Sequence, residues 1–277
     1  MSWLTFLITI LLILISTGII MSVARCGAGW RPWVCYCIAR VYSAIMCRWK
    51  ATNASTIPEF GPAIIVANHT SPADPVLLWI RHFASFKKKR LRVIGYLMAR
   101  EYYDRRDFVG WVCRAMQSIP ADRQGHDMAP VKEAFRRLQE GHLLGLFPEG
   151  RLNQETPDTL LLPGGTGVAW LALKSQVPLL PVFIHAAPRS KSMVKTFFVR
   201  TKTRVTYGVP IDLSAWSNSP LTHSVLAEAT EVIMKAIADL GGISHRTANR
   251  ERIISTATPA ASSLSIAPPD SESDLST

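Results

Sequence analysis

The stretch Asn68-His69-Thr70-Ser71-Pro72-Ala73-Asp74 sets a histidine and a carboxylate five positions apart, directly after the apolar run Ala63-Ile64-Ile65-Val66. Neutral His69 can take a proton from a substrate hydroxyl. Asp74 can hold the other ring N–H, fixing the tautomer and stabilising the imidazolium that forms. A loop turning into a helix would let the two side chains meet, which an extended strand would not. Taken alone, the pair also fits a polar turn in which Asp74 caps the helix and His69 is a satisfied turn residue. A metal site would need more ligands, and the histidines at 82, 126, 142, 185, 223 and 245 form no His-x3-His or comparable cluster, so no metal is expected.

Three further segments carry polar chemistry beside apolar runs. Leu146-Phe147-Pro148-Glu149-Gly150-Arg151 offers a carboxylate for a hydroxyl, a bare backbone and a guanidinium suited to phosphate, or else an ordinary turn at a strand end. Ser118-Ile119-Pro120-Ala121-Asp122-Arg123 places an arginine after a short apolar element, although a surface pair with Asp122 or another carboxylate is the commoner fate of a single arginine. Val177-Pro178-Leu179-Leu180-Pro181-Val182 is an apolar strand bracketed by two prolines, suited to shaping the sheet edge and one wall of an acyl groove.

The elements that must position these residues read as an α/β domain with a mostly parallel central sheet flanked by helices. Buried strands are expected at Ala63 to Ala67, Leu91 to Met98, Leu143 to Phe147, Leu179 to Ile184 and Val205 to Gly208. Helices are expected at Pro75 to Phe83, Pro130 to Glu140 and Gly167 to Ser175, with a last one running from Ser219-Pro220 to Gly241-Gly242. His69 and Glu149 would then lie at the carboxyl ends of strands, where open α/β sheets usually place ligands.

The four blocks, in this order between Asn68 and Val182, resemble the glycerolipid acyltransferase family, whose bacterial members include 1-acyl-glycerol-3-phosphate acyltransferases. That family is marked by Asn-His-x4-Asp, a second block with an arginine, Phe-Pro-Glu-Gly, and Val-Pro-x-x-Pro-Val. Asn68, His69, Asp74, Arg123, Phe147, Pro148, Glu149, Gly150, Pro178 and Pro181 occupy the matching positions. The resemblance implies that His69, oriented by Asp74, deprotonates the acceptor hydroxyl as it attacks the thioester of acyl-CoA or acyl carrier protein. No acyl-enzyme and no cofactor beyond that co-substrate are implied. Arg123, Glu149, Gly150 and Arg151 would hold the glycerol phosphate, and the product would be phosphatidate for phospholipid synthesis. One departure stands out: the family commonly continues Glu-Gly-Thr-Arg, whereas Arg151 directly follows Gly150 and Leu152 comes next. A different lysolipid or an amino-lipid is therefore the alternative acceptor, and a non-catalytic lipid-binding protein of the same fold is the alternative outside the enzymes.

The rest of the 277-residue chain places this domain at a membrane. From Trp3 to Ala24 no residue is charged, and at ~1.5 Å per helical residue that run reaches ~33 Å, enough to cross a ~30 Å hydrocarbon layer. A cleaved signal peptide is disfavoured by the absence of a basic n-region and by the length of the run. Arg25, Arg31, Arg40, Arg48 and Lys50 follow it, so the positive-inside rule puts the domain on the cytoplasmic side, at the inner membrane in a bacterium. Trp30 to Trp49 is aromatic and apolar with Arg40 at its centre, which suits an interfacial helix.

The net charge of +11 calls for an anionic partner. A phosphorylated substrate and an acidic leaflet both qualify, while nucleic acid is excluded by the lack of any recognition helix or aromatic-basic platform. Lys87-Lys88-Lys89-Arg90-Leu91-Arg92 is a candidate contact for the leaflet or for an acidic carrier protein, or a solvated loop. The five cysteines, without a Cys-x2-Cys pair, read as apolar side chains in a reducing compartment. The chain thus divides into a membrane segment at 1–50, an acyltransferase domain at 51–243 and, at 244–277, a Ser/Thr/Ala/Pro-rich tail without periodic apolar residues that is expected to be disordered and to carry no catalytic part.

Overall fold

The computed structural model describes residues 3–48, 50–52, 56–84, 91–122 and 128–246. Among these residues nine strands form: β1 (Lys50–Thr52), β2 (Ala63–Ala67), β3 (Ile94–Ala99), β4 (Ile119–Ala121), β5 (Leu143–Leu146), β6 (Leu160–Leu161), β7 (Leu179–His185), β8 (Arg204–Tyr207) and β9 (Ser244–His245). Nine α-helices accompany them: α1 (Trp3–Cys26), α2 (Trp30–Tyr42), α3 (Asp74–Ala84), α4 (Arg100–Tyr103), α5 (Phe108–Ala115), α6 (Ala129–Gln139), α7 (Gly167–Ser175), α8 (Met193–Thr196) and α9 (His223–Gly241). Seven strands make one sheet in the order β1-β8-β7-β2-β5-β3-β4, and β6 pairs with β9 in a small second one. Every neighbouring pair in the large sheet is parallel except β7 and β8.

The sheet is buried on both faces, which is why its strands read as continuous apolar runs rather than alternating ones. β2, at its centre, has all five residues inaccessible. Ala63, Ile65 and Ala67 face a core shared with Cys35 and Ala39 of α2, Leu77 and Leu78 of α3 and Ala115 of α5. Ile64 and Val66 face the other core, with Ala134 and Leu138 of α6, Ala169 of α7 and Ile233 of α9. The expected mostly parallel α/β sheet flanked by helices is thus the observed fold.

The long strands and helices stand within a few residues of their sequence-based positions; the differences lie at ends and in short elements. α9 starts at His223 rather than at Ser219-Pro220, because Thr222 is the residue whose side chain accepts from Val225 N–H and caps the helix. The segment from Trp30 is helical to Tyr42, then continues as a π-helical turn, Ser43–Cys47, while Trp49 lies outside the described residues. The tail boundary also moves: Ser244 and His245 pair in parallel with Leu160 and Leu161, and residues 247–277 lie outside the described part.

α1 is long and apolar enough to cross a membrane, and no residue in its apolar window is buried. It leads through Gly27, at φ 70°, and Gly29, at φ 88°, into α2, and the Trp33 indole donates to Ser22 Oγ at 3.1 Å, tying the two helices. α2 turns Pro32, Cys35 and Ala39 inward and leaves Ile38 and Val41 exposed. The cysteines are all free; Cys26, Cys35, Cys47 and Cys113 are buried and Cys37 is half-buried.

One expectation for the basic run changes. Lys87 to Arg90 lie outside the described residues, but Arg92 is a structural residue rather than a surface contact: its guanidinium donates to Pro58 O, Gly61 O and Gly141 O at 3.0, 2.6 and 2.7 Å. Three carbonyls from two loops are gathered by one fork, the geometry for which a planar guanidinium is suited.

Candidate active site

β2 ends at Ala67, and the next residue decides how the chain leaves the sheet. Asn68 is buried, its amide N–H donating to Ile184 O at 3.0 Å and its Oδ1 accepting from Ile184 N at 2.8 Å. The side chain thereby imitates one more strand residue against β7, freeing the backbone of Asn68 to turn. His69 emerges from that turn at the carboxyl end of the sheet.

Asp74 is the first residue of α3, and one of its oxygens takes three donors. Oδ2 accepts from Thr70 N and Ser71 N, each at 2.8 Å, and stands 3.1 Å from His69 Nδ1. The turn that brings His69 to Asp74 is therefore held by the same carboxylate that meets the ring. The dyad and capped-turn readings of this sequence are compatible in geometry, since one carboxylate oxygen meets both the ring and the turn. The Asp74 side chain is wholly buried and that of His69 is 19% exposed. With a carboxylate as partner, Nδ1 carries the ring proton, and Nε2 is left as the basic nitrogen.

The His69 ring is fixed on its flat side as well. Phe147, just past β5, stacks on it with centroids 4.0 Å apart and planes at 13°, and Tyr96 of β3 stacks behind Phe147 at 5.7 Å and 12°. Tyr96 takes its place because β5 has Gly145 opposite, where a Cβ would sit 2.1 Å from the tyrosine ring.

Glu149 is where the structure departs most from the expected acceptor-binding role. Its side chain is buried, Oε1 accepts from His69 N at 2.8 Å and Oε2 from Leu162 N at 2.9 Å. Both oxygens are spent on backbone donors, so the carboxylate tethers the His69 loop to the segment after β6. Burial pushes its carboxyl above the usual carboxylate range, against the two N–H groups that favour the charged form. Gly150, at φ 66°, turns the chain directly after it, and Gly150 N–H donates to Phe147 O at 3.0 Å.

Asn153, a residue the sequence reasoning passed over, completes this cradle. Its backbone N–H donates to His69 O at 2.7 Å, its side-chain N–H to Leu160 O at 2.7 Å, and its Oδ1 accepts from Thr156 N at 3.1 Å. The N–H and C=O of His69 are thus both held by the loop from Glu149 to Leu162. An asparagine in a polar loop signals a clip, but which carbonyls it would gather is visible only once β6 is placed. Ser71 was likewise passed over; its hydroxyl donates to Pro188 O at 2.5 Å and ties the His69–Asp74 turn to the loop after β7.

The remaining residues fall farther out. Pro148 lends its carbonyl to Gly165 N at 2.8 Å. Pro178 lies at the amino end of β7, opposite to His69, with its carbonyl accepting from Ile64 N at 2.9 Å. Pro181 is paired with Val66 within the sheet and packs on Gly208, so both prolines shape the strand rather than a groove wall at the site. Arg151 is exposed and has no ion-pair partner among the described residues, leaving its guanidinium available to an anion. Arg123 lies outside the described residues. Among the described residues no group of three or more His, Cys, Asp and Glu side chains is placed to hold a metal ion.

Comparison with known proteins bears on this arrangement. Residues 48–185, which contain both members of the dyad and Glu149, match the family described as Acyltransferase. The chain is 23% identical over 191 residues to the 1-acyl-sn-glycerol-3-phosphate acyltransferase of Bacillus subtilis, covering 69% of this chain and 87% of that relative. It is 31% identical over 161 residues to the enzyme of the same name from Limnanthes douglasii, where the match spans 56% of this chain and about half, 52%, of the plant protein. The crystal structure of the 1-acyl-sn-glycerophosphate acyltransferase of Thermotoga maritima has the same fold, with a TM-score of 0.55 at 21% identity over 76% of this chain and 80% of that one.

Proposed function

The chain belongs to the acyltransferase family, and from that premise we propose that it transfers a fatty acyl group from acyl-CoA or acyl carrier protein to the free hydroxyl of 1-acyl-glycerol-3-phosphate, forming phosphatidate. The observation that carries the reading is the His69 Nδ1 to Asp74 Oδ2 contact at 3.1 Å at the carboxyl end of the central strand. The names of the relatives support lysophosphatidate as acceptor.

His69 Nε2 takes the proton as the acceptor oxygen attacks the thioester carbonyl carbon. The C–S bond then breaks, and the departing thiolate recovers the proton from the imidazolium. Asp74, buried and anchored by two backbone donors, stabilises that imidazolium without moving. Because the thioester is already activated, the step requires neither a metal nor a further cofactor. Arg151 and Arg123 are the proposed ligands of the acceptor phosphate. Glu149 acts on the acceptor only indirectly, through the His69 loop it holds. α1 anchors the chain, and the basic residues after it keep the domain on the cytoplasmic side.

Incubating the purified protein with labelled lysophosphatidate and either thioester tests the reading; absence of transfer to any lysolipid would remove it. Leu152, standing where the family commonly has arginine, supports a second acceptor class, another lysolipid or an amino-lipid. A panel of acceptors separates the two, since a phosphate-independent enzyme keeps its rate in Arg123→Ala.

A further inference from the structure

The loop between β7 and β8 makes no part of the dyad, yet it carries an unusual combination. From Arg189 to Arg204 it holds six basic residues and no acidic one. Within it Val194 is 68% exposed, Phe198 72% and Met193 40%. Lys191, Lys195, Arg200 and Lys202 have no ion-pair partner among the described residues. Scattered exposed apolar side chains are ordinary, but exposed apolar residues interleaved along one short segment with unpaired cations have the composition of a surface that meets an acidic lipid leaflet.

The position of the segment supports the same occupant. It is strapped to the end of α2: Phe197 packs on Tyr42 with ring centroids 5.8 Å apart, Thr201 N–H donates to Met46 O at 2.8 Å and Thr203 N–H to Cys47 O at 2.9 Å. On that part of the chain Val41 and Ile45 are themselves 60% and 54% exposed. The segment is therefore strapped to the far end of the helix that directly follows α1. At its other end, Pro188 O accepts from Ser71 Oγ, so the segment also borders the catalytic turn.

We propose that the Met193–Phe198 segment is a second membrane-contacting element, which sets Val194 and Phe198 into the headgroup boundary of an anionic leaflet beside the mouth of the His69 site. α1 alone would tether the domain while leaving its orientation free. A second contact, on the far end of α2, fixes which edge of the sheet faces lipid and lets a lysolipid reach His69 without leaving the membrane surface. The proposal rests on the proposed function for the membrane placement of the chain and for the lysolipid that approaches His69; the contact itself does not depend on turnover.

The full chain, in nanodiscs containing an acidic phospholipid, is tested with photoreactive benzoylphenylalanine replacing Val194, Phe198 or Val209. Val209 is the control, being 78% exposed but just past β8, at the end of the sheet opposite to His69. Lipid adducts at 194 and 198 are expected at roughly five-fold or more the level at 209, because only an inserted apolar side chain lies among acyl chains. They should fall about two-fold or more when Lys191, Lys195, Arg200 and Lys202 are changed to glutamine, since a leaflet's attraction depends on those charges. Equal adduct levels at all three positions would overturn the proposal, as would adducts with an added acidic carrier protein in place of lipid. Adduct formation needs no turnover, so this result and the acyl-transfer assay can fail independently.

Discussion

A single carboxylate oxygen, Asp74 Oδ2, both builds the turn after β2 and meets the His69 ring, the proposed general base. Asp74→Asn keeps the shape but offers an amide where three donors point, and it removes the charge that stabilises the imidazolium. Acyl transfer should fall by roughly 10²–10⁴-fold, the ordinary contribution of a general base, and His69→Ala by at least as much, with KM for the acceptor changing far less. Glu149 makes a different prediction. Its carboxyl is raised by burial, so the folded protein binds a proton more readily than the unfolded chain, and this group's share of stability is lost as pH rises from the usual glutamate range through the raised value. Glu149→Gln removes that dependence, which thermal unfolding between about pH 4 and 7 would reveal as a flatter profile. It also turns an amide N–H toward His69 N–H or Leu162 N–H, costing about 1–3 kcal/mol for a buried donor without an acceptor. His69 and Asp74 were legible in the sequence because their spacing is local. The tether made by Glu149 was not, because its second partner, Leu162, reaches it only through a loop closed by Asn153.

At the scale of elements, the stack Tyr96–Phe147–His69 depends on β5 having no side chain at Gly145. Gly145→Ala forces the Tyr96 ring away. Overpacking of this kind costs typically 1–3 kcal/mol, and activity should drop beyond what the loss of folded protein explains, because Phe147 follows Tyr96. Asn153→Ala opens the loop between Glu149 and Leu162 and should lower kcat more than it raises KM. Asn153→Asp keeps an acceptor for Thr156 but sets a buried carboxylate oxygen against Leu160 O and beside Glu149, so it should be no more active than the alanine; steady-state kinetics on the pair decides. Long apolar runs such as Ala63–Ala67 were readable because a strand buried on both faces admits few polar residues. β1, β4, β6 and β9 were not assigned as strands, since two or three residues carry no period and their pairing is decided by the partner. α5 left a signal that was passed over: Asp107 accepts from Val109 N and Gly110 N, an N-cap before an apolar turn.

For the whole molecule, the fold gathers the carboxyl ends of the central strands, the far end of α2 and the basic loop after β7 at one end of the sheet, while α1 ends against Leu91, ahead of β3. Removing residues 1–24 deletes the apolar helix but spares Cys26, whose carbonyl accepts from Leu91 N at 2.8 Å, so the domain should still fold. Membrane association should then change from alkali-resistant to salt-sensitive, the behaviour of a domain held by the remaining cations, as fractionation in carbonate and in high salt would report. The class of the molecule was legible from four blocks in order and one apolar helix; the acceptor was not, because the sequence around Arg123 and Arg151 does not fix what a guanidinium binds. The most direct test is transfer of a labelled acyl group from acyl-CoA or acyl carrier protein to lysophosphatidate by the wild-type chain and by His69→Ala. Phosphatidate formed by the first and lost in the second is the predicted result, and equal rates in the two would contradict the assignment of His69 as the general base.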